Sequence, residues 1–207
     1  MPGSDHLRLV DLDHAPGERL ALAAYRSDFQ ERQWTIAGQD SWKLERGQSF
    51  QEPGFESWEA FSLGHWDEAL RLIEGERDYL RDFSAKNAAR GTDLFRVRVV
   101  EKPLSAYLHW ELHLLRLRAE CGEKIRVVGP EAISGLESAR LLPEILTLGE
   151  VTYRIQYTEQ GALDGAVRFT DPQVAADWGD FIRDLYDTGE DLSAYFDREV
   201  RHLPPPE

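Results

Sequence analysis

The segment from Phe95 to Val128, FRVRVVEKPLSAYLHWELHLLRLRAECGEKIRVV, constrains the fold of this chain more than any other stretch. FRVRVV alternates Phe95, Val97 and Val99 with Arg96, Arg98 and Val100, the two-residue period of a strand. Pro103 and Ser105 then open a helix. At about 100° per residue, Leu104, Leu108, Leu112, Leu115 and Ala119 form one apolar stripe on it, bordered by Tyr107, Glu111 and Arg118. On the same wheel His109, His113, Arg116 and Glu120 take the solvent side. Gly122 ends the helix, and KIRVV, Lys124 to Val128, is a short β-branched strand closed by Gly129-Pro130. A strand, a helix and a strand joined this way predict a parallel pair with a right-handed crossover.

Around that unit the chain reads as an α/β fold: a mixed sheet with a βαβ crossover over residues 95–128, a hairpin over 151–169, and flanking helices. Glu18 to Phe29 carries a short helical spacing, and Ser41 to Gln51 is extended. Trp58 to Trp66 is expected to be helical and broken near Gly64. Leu70, Ile73, Leu80 and Phe83 mark a further helix up to Ala89, weakened at Gly75 and closed by Arg90-Gly91. After a Leu- and Glu-rich linker containing Pro143, EVTYRIQY and ALDGAVRF pair across a turn near Glu159 to Gly161. Asp171-Pro172 opens a final helix with Val174, Trp178, Phe181, Ile182 and Leu185 on one face. The expected organisation is an N-terminal extension over 1–40, partly helical, a single domain over 41–199, and a flexible tail over 200–207.

Composition excludes several classes of function. With 207 residues, 42% of them hydrophobic, one core can form. No run approaches the roughly 18 apolar residues of a membrane span, and the first residues lack the cationic-then-apolar order of a signal peptide, so a cytoplasmic protein with no membrane partner is expected. The lone Cys121 forms no internal disulfide and leaves a zinc site without thiolate partners. A net charge of -14 repels a polyanion, which argues against direct nucleic-acid binding. Acidic residues dominate from Glu159 to Glu199, either as a solvated face or as a surface for a basic protein partner. Gly161 and Gly165 lack the strand-to-helix setting of a phosphate loop.

Three constellations carry candidate chemistry. Arg96, Arg98 and Arg126, with Tyr107 on the helix border, are expected on adjoining surfaces, and Glu111 or Glu45 should pair at least one guanidinium, because an unpaired buried charge is costly. Such a set serves either as a pocket for an anionic ligand or as an ion-pair network that holds strand and helix in register. His109 and His113, four residues apart, have the spacing of a two-imidazole metal site, but the glutamate between them is misplaced for a zinc protease and no third ligand is evident. No metal or cofactor is therefore expected. Trp34, Trp42, Trp58 and Trp66, with Phe55 and Phe61, serve as core or as an interaction patch through Trp42, Trp58 and Trp66.

WKLE at Trp42 to Glu45, RVRVVEKPLSAYLHWEL at Arg96 to Leu112 and GEKIRVV at Gly122 to Val128, with LSAY at Leu192 to Tyr195, resemble an uncharacterised actinobacterial family encoded near helix-turn-helix regulators and their small partner proteins. The resemblance spans Trp42 to Tyr195. It departs at Pro143 to Gly149, where the family pattern has an Asp-Phe, an aromatic and an aspartate. The family is similar in outline to one half of a phospholipase D-like fold, which implies a mixed sheet flanked by helices. It does not imply the phosphodiesterase activity, because the chain has no His-x-Lys motif. The leading expectation is a non-enzymatic regulatory or protein-interaction module whose acidic surface and aromatic patch engage another protein, and the resemblance implies a transcriptional-regulation setting with a helix-turn-helix regulator as partner. The alternative is a small-molecule or phosphorylated-ligand site, enzymatic or not, on the arginine and glutamate set.

Overall fold

The computed structural model describes residues 9–137 and 141–206. In chain order, β1 (Glu18–Ala21) runs directly into α1 (Leu22–Thr35), and β2 (Ser41–Glu45) precedes the short helices α2 (Glu56–Ser62), α3 (Trp66–Gly75) and α4 (Arg77–Ala88). β3 (Leu94–Val99), α5 (Ala106–Glu120) and β4 (Lys124–Val128) form the crossover. Three antiparallel strands follow, β5 (Ile145–Leu148), β6 (Val151–Tyr157) and β7 (Leu163–Phe169), and then α6 (Pro172–Thr188), β8 (Glu190–Asp191) and α7 (Leu192–Glu199). One mixed sheet collects the strands in the order β1-β7-β6-β5-β2-β3-β4-β8, with β2, β3 and β4 parallel.

Local chemistry sets the boundaries. Ser105 Oγ accepts from the Leu108 N–H at 3.0 Å and starts α5, while Asp171 caps α6 with Pro172 behind it. Gly64, at φ +77°, turns the chain between α2 and α3 in a conformation that a side chain would disfavour. Gly165 lets β1 approach β7: a Cβ there would lie 2.2 Å from the Leu20 carbonyl oxygen.

The two faces of the sheet differ in kind. On one, α6 lays Trp178, Phe181, Ile182 and Leu185 over Trp42, Leu44, Val97, Val99 and Ile145, a dry core. On the other, α1 covers the antiparallel arm through Leu20, Tyr25, Leu146, Tyr153 and Ala166. There α5 and α7 cover the far edge through Leu108, Leu112, Ile125, Val127 and Phe196. Between those two covers β2 and β3 present Lys43, Glu45, Arg96 and Arg98, neighbours in the parallel register. Among the described residues no helix is long and apolar enough to cross a membrane.

Several elements differ from the sequence reading. Part of the expected N-terminal extension belongs to the sheet, since β1 pairs with β7; residues 1–8 lie outside the described residues. The linker with Pro143 contains β5, which joins β2 to β6, and its residues 138–140 lie outside the described residues. The helix expected up to Ala89 divides at Gly75–Glu76 into α3 and α4, and α7 follows the helix expected to be last. Val200, the first residue of the expected tail, is buried beside Phe196.

The largest correction concerns α5. His109, Trp110 and Leu117 are buried, because α2, α3 and α4 bring Ala60, Ala69, Ile73 and Leu80 against the side that the wheel assigns to solvent. Trp66 lies 4.8 Å from the His109 ring and 5.3 Å from the His113 ring, and His113 meets Phe196 at 4.8 Å. Burial, reinforced by His109 and Arg116, pushes the His113 pKa down to about 4. Between its ordinary 6.5 and that value the unfolded chain takes up a proton that the folded one refuses, so stability present above pH 6.5 is lost as the pH falls towards 4. His113→Phe should remove roughly 2 kcal/mol of that loss, allowing for the solvent that the ring retains. Urea melts of both proteins at pH 7 and pH 4.5 measure it, and equal pH dependence would refute the assignment.

Candidate functional site

Over β2 and β3, where neither α1 nor α5 covers the sheet, a chain of ion pairs crosses the floor of a cleft. Lys43 Nζ lies 2.6 Å from Glu45 Oε1, and Arg96 Nη1 donates to Glu45 Oε2 at 2.7 Å. Arg96 Nε donates to Glu123 Oε1 at 2.6 Å, and Arg118 Nη1 reaches Glu123 Oε2 at 3.3 Å. Glu45, Arg96 and Glu123 are at most 9% exposed, so each charge relies on its neighbours rather than on water. Burial pushes the Glu45 carboxyl up, but Arg96, Lys43 and Arg98 outweigh it and hold it well below the usual carboxylate range. Glu123 behaves alike under Arg96 and Arg118.

A second chain leads from the interior to the cleft. The fully buried Arg98 donates from Nε to Glu111 Oε2 at 2.8 Å and from Nη1 to the Glu45 and Val99 carbonyls at 3.2 Å; its Nη2 makes no hydrogen bond among the described residues. Tyr107 Oη lies 3.2 Å from Glu111 Oε1 and 3.1 Å from Glu52 Oε1. A tyrosine has one hydroxyl proton and here two carboxyls, so bonding both at once requires a proton on one of them. Burial raises the pKa of both Glu52 and Glu111, which favours that shared proton. Behind this lies Glu144, whose Oε1 accepts from the Arg46 and Gly47 N–H groups at 2.7 and 2.5 Å. Burial, then the nearby Glu45, pushes Glu144 up to about 7 against the pull of Arg98 and those two N–H groups.

Two hollows, about 290 and 340 Å³, share Lys43, Glu45, Glu52, Arg96, Tyr107 and Arg118. The first is walled by Tyr25, Phe29, Phe50 and Tyr157, with Phe50 stacked on Tyr157 at 4.5 Å. The second opens past Arg26, Pro53 and Phe55. Aromatic walls beside a few convergent polar groups are the usual make-up of a small-molecule site.

Of the residues singled out by sequence, Arg96, Arg98, Tyr107, Glu111 and Glu45 meet here; where the sequence asks for Glu111 or Glu45 to pair at least one arginine, each pairs one, Glu45 with Arg96 and Glu111 with Arg98. Arg126 does not join them. It pairs in register with Val97, one residue away from the arginine positions and therefore on the opposite face. There its guanidinium donates to the Tyr186, Asp187 and Gly189 carbonyls at 3.3–3.4 Å and stands over the Tyr186 ring, where a cation suits the C-terminal end of α6. Trp42 is also corrected as an interaction residue: it is buried, stacked on Phe95 at 4.2 Å beneath α6. Trp58 and Trp66 are partly buried against the Trp110 cluster. Sequence reasoning missed Lys43, Glu52, Glu123 and Arg26. The alternation of Lys43 and Glu45 with Trp42 and Leu44 is the signal that could have placed the first of these.

No curated protein matches the chain. One solved structure that aligns with it is that of TrmBL2, described as an archaeal chromatin protein with a novel mode of DNA binding: TM-score 0.40 and 10% identity over 88% of this chain. This chain spans 56% of that protein's length. A family model matches residues 27–197, which include β2 to β8, though not β1, and the charged floor of the cleft, and the chain belongs to that family, the domain of unknown function DUF6879.

Proposed function

We propose that this domain binds a small organic molecule in the cleft between α1 and α5. The observation that carries the reading is the break in cover on one sheet face. Two helix layers bury the rest of that face in apolar contacts, and at the break the sequence places paired charges and a wall of rings instead of filling the space with aliphatic side chains. Arg96 and Arg98 serve as the floor, already engaged by Glu45, Glu123 and Glu111. The ligand would meet the side chains above them.

A protein-interaction role has less support. Its aromatic half relied partly on Trp42, which lies beneath α6. Its acidic half survives as the exposed Asp180, Asp184 and Asp187 of α6, a composition that an ordinary solvated helix face shares.

The test is enrichment. The purified protein, incubated with a small-molecule cell extract, washed and denatured for mass spectrometry, should release a retained compound. Leu163→Trp, which pushes an indole into the ring-walled hollow, should lose it while keeping the wild-type melting profile. A wild type that retains nothing beyond the filled variant would overturn the reading.

A further inference from the structure

Resting on the reading of the cleft as a ligand site, its charges define the ligand. Glu45, Glu111 and Glu123 each have both carboxyl oxygens engaged by a partner already named, and Glu52, the fourth carboxyl, is shifted by burial towards its neutral form. None of the four is well placed to balance an incoming cation. The cations differ. Among the described residues Lys43 is paired only with Glu45, through one of three N–H donors, and Arg118 only with Glu123, through a long 3.3 Å contact. Arg26 makes no ion pair among the described residues. Lys43 and Arg118 keep about a third of their side-chain surface, 31% and 32%, on the open side. In a chain of net charge -14 this is a cleft where Arg26, Lys43, Arg96 and Arg118 stand among Glu45, Glu52, Glu111 and Glu123, with the fully buried Arg98 behind them holding Glu111. Unused donors of one sign, around an opening next to a ring-lined hollow, suit an acceptor oxygen that carries negative charge.

We propose that the cleft takes an amphipathic anion: a carboxylate or phosphate monoester held by Lys43, Arg118 and Arg26, on an aromatic or branched apolar body lodged among Tyr25, Phe29, Phe50 and Tyr157. The shared chemistry is a single oxyanion beside an apolar group. A second anionic group would find Arg96 and Arg98 already committed.

Four probes of one ring and different head groups test this by calorimetric titration: phenylacetate, phenyl phosphate, phenethylamine and 2-phenylethanol. The two anions should bind about tenfold or more tightly than the alcohol and the amine, and the better of the two identifies the oxyanion. Raising the salt concentration should weaken them. Lys43→Met and Arg118→Met should each cost the anions about tenfold and leave the alcohol unchanged. Arg26→Ala, on the helix surface and free of ion pairs, keeps the test valid if either of those variants misfolds, and should weaken the anions in the same direction. Failure of both anions to bind at millimolar concentration overturns the proposal, as does equal binding of the amine. If the alcohol or the amine binds and Leu163→Trp blocks it, the cleft is a ligand site of another charge class, and only the anion assignment falls.

Discussion

Replacing Glu111 by alanine is expected to lower the unfolding free energy by about 3–5 kcal/mol, a large share of what a domain of this size possesses. The reason lies in Arg98, whose side chain has no exposed surface and whose Nε relies on Glu111 for its charged partner. Removing the carboxylate leaves a guanidinium beneath α5 with two carbonyl bonds and no counter-charge on that side, and it also frees the Tyr107 hydroxyl from one acceptor. The pair itself need not be worth that much. Ion pairs in dry surroundings often do no better than apolar residues of the same shape, because desolvation offsets attraction. The double variant Arg98→Met with Glu111→Leu should therefore recover most of the loss. Urea unfolding of Glu111→Ala and of the cycle Arg98→Met, Glu111→Leu and their double, followed by tryptophan fluorescence, measures both quantities. A loss below about 1 kcal/mol for Glu111→Ala would mean that Arg98 finds other compensation.

Between pH 4.5 and pH 8, Glu144→Gln is expected to gain roughly 3 kcal/mol of stability relative to the wild type, whatever constant cost its amide N–H groups carry where Glu144 Oε2 has no partner among the described residues. The carboxyl is buried and its pKa in the fold is raised from 4.5 to about 7. Across that interval the native state keeps a proton that the unfolded chain has released. Stability fully present below 4.5 is thus lost as the pH climbs through 7, at about 1.4 kcal/mol per unit. A glutamine retains the oxygen that accepts from the Arg46 and Gly47 N–H groups and has no charge to desolvate. Thermal and urea melts of both proteins from pH 4.5 to 8 decide the matter. Parallel stability curves would show that Glu144 does not change its proton in that range.

The strand-helix-strand unit was legible because Phe95 to Val99 alternates without a break and Ser105 and Gly122 mark the helix ends with ordinary cap chemistry. The register between β3 and β4 was not. A crossover helix leaves the offset of its two strands open, and one residue of slip sends Arg126 to the far side. The helical wheel misplaced His109 because it assumes one buried side, whereas α5 is enclosed by the sheet, by α7 and by the small helices after β2. β5 escaped notice because four residues are too few to show a period, and all four are buried. As for the cleft, its floor could be read from charged residues at strand positions, but its walls are assembled from Tyr25 and Phe29 on α1, Phe50 after β2 and Tyr157 on β6, which no local pattern connects.

The place of β1 bears on how this domain can be handled as a separate piece. A fragment begun at Ser41, the boundary that sequence alone suggests, would strip the partner from β7 and lay bare the N–H and C=O groups that Glu18 to Ala21 now occupy. It would also take away Leu20 and Tyr25, exposing Tyr153 and Ala166 beside that raw edge. Such a fragment would have every residue of the charged floor and still offer a sticky strand to its own copies. The shortest self-sufficient unit starts upstream of Glu18, with four residues that contribute no chemistry and act as a selvage against fraying into aggregates.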